Sequence, residues 1–135
     1  MNDSLISKIC NSQNKNRDLL VDELNDEIES ESFSADEILL IIHKLLILLP
    51  VETDQAVHES ILNLLSGVYP SGNGAKDIEK YVLNYIQELN PGSLVHALSI
   101  LSESNLVEKK EIFTNFTHSD NEAIRKIAQS LLTEV

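Results

Sequence analysis

The sequence predicts an all-α protein of seven or eight helices joined as antiparallel hairpins, and three observations carry that prediction. Apolar residues recur at three- and four-residue spacing, most cleanly in Ile78, Tyr81, Val82, Tyr85, Ile86 and Leu89. No segment sustains the alternation of a strand, and the chain holds only three Phe, three Tyr and no Trp. The connections are short, about two to eight residues, the length that returns a helix against its predecessor.

Asn2 or Asp3 to Ile9 reads as a short opening helix with Leu5, Ile6 and Ile9 inward, followed by the polar loop NSQNKN. Residues 17 to 30 form the next helix, because Leu20, Val21, Leu24 and Ile28 fall on one face. Ser34 with Glu37 is a capping box, and the run from Ile38 to Leu49 is aliphatic except for His43 and Lys44. That run predicts a central helix buried on several sides, stopped by Pro50.

A helix from Asp54 to Gly67 places Val57, Ile61, Leu64, Leu65 and then Val68 on one face and ends in YPSGNG. After the Ile78 to Leu89 helix, Asn90-Pro91 opens another that carries Leu94, Ala97, Leu98 and Leu101. Asn105 with Glu108, then Ser119 with Glu122, start the last two. The first turns Leu106, Ile112, Phe113 and Phe116 inward, the second Ile124, Ile127, Ala128 and Leu131.

At 135 residues the chain is expected to form one domain, 1–135, with a core that needs no metal or disulfide staple. Cys10 has no partner for an internal bridge, which points to a reducing cytoplasm. The polar start lacks the apolar core of a signal peptide, and the Ile38 run is about half of the ~20 residues that cross a bilayer.

Charge is the most informative bulk property. There are 22 acidic and 10 basic residues, a net charge of -12, which opposes binding to nucleic acid or an anionic membrane and favours a basic partner. Residues 1–60 hold 13 acids and 4 bases, net -9; residues 61–135 hold 9 and 6, net -3. The densest run is Asp18, Asp22, Glu23, Asp26, Glu27, Glu29, Glu31, Asp36 and Glu37, with no base among them. Its like-charge pairs at i, i+4 each cost roughly 0.2–0.5 kcal/mol on an isolated helix, so mixed charges would serve solubility better. The run therefore reads as a partner-binding surface, set against the plainer alternative of a solvated face. Tyr69, beside the Gly72-Asn73-Gly74 turn, is a candidate interface anchor, or else a ring packed on the neighbouring helix.

No motif points to an enzyme, a cofactor or a metal. Neighbouring acids on an open helix have no burial to raise a pKa, and the four histidines stand singly without ligand spacing. His43, inside the aliphatic run, reads as a core or groove histidine.

Setting Thr53, Asn90 and Asp120 in register as N-caps brings Val57, Leu94 and Ile124 together, then Ile61, Leu98 and Ala128, then Leu64, Leu101 and Leu131. The segment SDNEAIRKIAQSLL resembles the second helix of a HEAT-like repeat, with its acidic or Asn start, Arg125, Ala128 and Leu131. NPGSLVHALSIL is similar to a second copy, with Val95 in the place of Arg125; His58 takes that place in the first. This resemblance implies a HEAT-like stack of helix hairpins, an α-solenoid. A small, acidic stack of this kind also resembles the immunity proteins of bacterial toxin systems, especially those against contact-dependent growth inhibition toxins. That second resemblance implies a cytosolic inhibitor of a basic toxin domain, often a nuclease, with a ribonuclease favoured here; the alternative is a HEAT-like adaptor that binds a protein or peptide.

Overall fold

The computed structural model describes residues 3–135. Among these residues the protein is all-α, with eight α-helices and no strand: α1 Asp3–Cys10, α2 Arg17–Glu29, α3 Ala35–Leu48, α4 Gln55–Val68, α5 Ala75–Tyr85, α6 Pro91–Glu103, α7 Lys109–Phe116 and α8 Glu122–Leu132. Of the two expected starts for the opening helix, Asn2 lies outside the described residues. Short 3-10 turns extend α3, α4 and α5 at Leu49–Val51, Tyr69–Ser71 and Ile86–Glu88. Pro50 and Pro70 sit within the first two of them, so these helices tighten before they end.

Packing divides the chain into two compact units, one up to Ile78 and one from Glu79 onward. The boundary between the two units falls within α5. In the first unit α1 packs on α2, and α2 packs extensively on α4. In the second, α8 packs on both α7 and α6. Helices therefore meet their sequence neighbours and also the next helix but one, as stacked hairpins do.

The apolar register defined by α4, α6 and α8 is buried as expected through Val57, Leu94 and Ile124, then Ile61, Leu98 and Ala128. Leu64 and Leu101 continue it, whereas Leu131 is only half-buried. The caps shift slightly. Asp54, not Thr53, caps α4 by accepting from the amides of Ala56 and Val57. Asn121, not Asp120 or Ser119, caps α8 by accepting from Ile124 at 3.0 Å. Ser119 instead accepts the amide of Asn121 itself. Helix α7 begins at Lys109, past the expected Asn105, and buries Phe113 while Leu106, Ile112 and Phe116 stay half-buried.

The central-helix expectation for α3 needs correction. The Ser34 and Glu37 capping box forms in both directions, at 3.2 and 2.9 Å. Yet α3 itself buries only Ile41, Ile42 and Leu45, and it leaves Leu40 45% and Ile47 76% exposed. Helix α4 is the enclosed helix of the first unit, with Val57, Ile61, Leu62, Leu64, Leu65 and Val68 all buried. A continuous aliphatic run states how much surface can be covered but not which sides are. His43 consequently lies on the outer side of α3, hydrogen-bonded to Asp77 at 3.0 Å, and is not a core histidine.

A candidate protein-binding face on α2

Helix α2 is held at its start by a buried ion pair. Asn16 precedes it in the left-handed region, φ 56°, and Arg17 then turns inward. The Arg17 guanidinium donates through both terminal nitrogens to the Glu52 carboxylate, at 2.5 and 3.1 Å, and through Nε to the Ile9 carbonyl at 2.7 Å. Both side chains are nearly inaccessible, 6% and 4% exposed. Glu52 also accepts the Asp54 amide at 3.0 Å, so the Arg17–Glu52 pair links the end of α1, the start of α2 and the cap of α4. Burial pushes the Glu52 carboxyl up, but the hydrogen bonds from Arg17 and Asp54 outweigh it and hold the group below its usual range.

With Arg17 fixed, Val21, Leu24 and Ile28 continue the buried stripe at four- and three-residue steps. The helix turns about 100° per residue, so the acids take the remaining half of its circumference. Asp22, Glu23, Asp26 and Glu29 are exposed, and Asp18 and Glu27 are half-buried at the borders. Among the described residues, none of those four exposed acids has an ion-pair partner. At the N-terminal end of this acidic half, in the first turn of α2, stands Leu19, 60% exposed, three and four residues before Asp22 and Glu23 and seven before Asp26. Leu19 was not singled out from the sequence; its signal is an aliphatic side chain that falls opposite the Val21, Leu24 and Ile28 stripe.

Beyond α2, the amide of Ser32 donates to the Glu27 carbonyl at 3.2 Å and that of Glu31 to Ile28 at 3.1 Å. This is the two-bond helix ending that normally uses glycine in its left-handed position; here that residue is Glu31, φ 61°. Glu29 and Glu31 then line an open groove of about 230 Å³ with Asn25, Ile28, Ile38, Gly67, Val68, Ser71 and Asn73. Asp36 is exposed in the first turn of α3, on a different element from the α2 acids. Tyr69 is 7% exposed, so its ring belongs to the core of the first unit and offers little surface to a partner. The structure thus brings Asp22, Glu23, Asp26 and Glu29 onto one face, with Asp18 and Glu27 beside them, and places Glu31 at its end.

Comparison with known proteins finds no family model, no curated protein and no solved structure that matches this chain. Among the described residues, no three His, Cys, Asp or Glu side chains gather as a metal site, and no helix is long and apolar enough to cross a membrane.

Proposed function

We propose that this chain is a binding protein that neutralises a basic protein domain, in the manner of an immunity protein against a nuclease toxin, with ribonuclease the favoured class. The observation that carries the reading is the outer half of α2, where four exposed acids, without an ion-pair partner among the described residues, follow one exposed leucine in the first turn. A single exposed leucine is ordinary on a solvated surface, but next to a row of uncompensated acids it adds the apolar contact that an interface places beside its polar rim. Nuclease active sites carry cations that hold phosphate, so a carboxylate face competes for the same field and speeds capture. In this reading the protein works in the cytosol, without cofactor or catalytic step, and its partner is neither nucleic acid nor membrane.

One observation favours the adaptor reading as well. Leu40, Ile47 and Val51 leave an apolar stripe on the outside of α3 and its 3-10 extension, a second surface on which a scaffold protein would seat a peptide. Affinity purification from the native cell separates the two. The inhibitor reading expects one small basic protein in stoichiometric amount with the wild type and its loss from the D22N/D26N/E29Q variant. Retention by that variant, with loss from Ile47→Lys, is the adaptor result and removes the α2 face from the account.

A further inference from the structure

Gly67 lies in the last turn of α4, a place where glycine costs about 1 kcal/mol relative to alanine. Neither of the usual reasons for a glycine applies there. Its backbone is helical, and an added Cβ would meet only the Asn25 Oδ1 atom at 3.9 Å, an ordinary contact. What the missing side chain preserves is the groove in front of it. Its lining combines apolar Ile28, Ile38 and Val68 with the acidic residues Glu29 and Glu31.

A volume of about 230 Å³ is below the ~300–1,000 Å³ typical of small-molecule sites, so the groove suits a single side chain. Apolar walls with acids beside them match a side chain that has an aliphatic stem and a cationic head. Arginine fits better than lysine, because two acids and two asparagines border the groove, with the Asn25 Oδ1 atom 3.9 Å from the position of a Cβ on Gly67, so acceptors are available on more than one side. The planar five-donor guanidinium can answer these, whereas an ammonium has three donors and a tighter hydration shell. Glu29 belongs both to this groove and to the acidic half of α2, so the two surfaces are continuous. We infer that the groove seats one arginine side chain of the basic partner, an inference that rests on the reading of the α2 face above.

The test needs no partner. The full-length, ¹⁵N-labelled protein is titrated with N-acetyl-arginine amide and, separately, with the uncharged isostere N-acetyl-citrulline amide. The groove predicts saturable shifts for arginine at Gly67, Asn73 and the Asn25 side-chain amide, and none for citrulline. Gly67→Met, whose side chain enters the groove, abolishes those shifts while the rest of its spectrum is preserved. If methionine disturbs the helix, Glu31→Gln serves instead and weakens arginine binding several-fold. Equal shifts with citrulline, shifts spread along Asp22 and Asp26 without saturation at Gly67, or unchanged binding by the groove variants overturn the inference. Such a failure leaves the α2 face standing, since that face is judged separately by partner retention in the D22N/D26N/E29Q variant.

Discussion

Arg17 is as inaccessible as the aliphatic residues around it, and its fork to Glu52 ties together segments 35 residues apart in sequence. Removing one member strands the other as a buried charge. Arg17→Met is therefore expected to destabilise the protein by about 3–5 kcal/mol, and the double change Arg17→Met/Glu52→Leu by less than Arg17→Met alone. Urea denaturation of the three chains measures this. The pH dependence follows from the depressed Glu52 carboxyl. Its contribution is complete above the ordinary value of 4.5 and is lost as pH falls through the lower folded value. The stability gap between wild type and Glu52→Gln should shrink over that interval. His58 has the same sign: burial holds it below 6.5, so its contribution is present above 6.5 and is lost as pH falls through the folded value. Sequence could not disclose the Arg17 pair, since nothing local distinguishes a buried arginine from one that opens an exposed helix. Glu31 is the opposite case, a non-glycine residue held at φ 61°. Glu31→Gly should raise stability by about 1 kcal/mol in the same denaturation experiment, by relieving the left-handed strain.

At the level of elements, the helices were legible because their periodicity and punctuation agree. The α2, α3 and α6 starts fall where Arg17, the Ser34 box and Asn90-Pro91 place them. Which helix would be enclosed was not legible. The aliphatic density of α3 suggested a central helix, yet α4, with Ser66 and Gly67 near its end, is the one covered around more of its surface. The distinction has a measurable consequence. Ile42 is fully buried, so Ile42→Asp should unfold the protein, whereas Ile47→Lys should change stability by no more than about 0.5 kcal/mol. Circular dichroism melts of both variants decide it. Equal loss of structure would mean that the outer side of α3 is covered in solution. Gly74 supplies a second check on the same helix. It enters α5 at φ 64°, and an added Cβ would lie 3.0 Å from the Ile42 Cγ2 atom. Gly74→Ala should cost about 1–2 kcal/mol in denaturation, combining left-handed strain with displacement of a core side chain.

For the whole molecule, the sequence reading of seven or eight helices without strands agrees with the eight seen among the described residues, while the division within α5 left no mark in composition. That boundary crosses the cleanest amphipathic stretch, which has no glycine, proline or polar run to announce it. The candidate site was half legible. A run of acids can be counted in a sequence, but Leu19 at its start and Gly67 beside the adjacent groove acquire meaning only once the buried stripe of α2 and the end of α4 are fixed. The roles of these residues should separate kinetically, because rim charges steer association whereas a desolvated apolar anchor slows dissociation. The decisive measurement is surface-plasmon kinetics against the purified basic partner at two salt concentrations, for wild type, D22N/D26N/E29Q and Leu19→Ala. The account predicts that the charge variant associates more slowly with a flatter salt dependence, and that Leu19→Ala dissociates faster with its association rate nearly unchanged. Association and dissociation rates identical to wild type in both variants would contradict it.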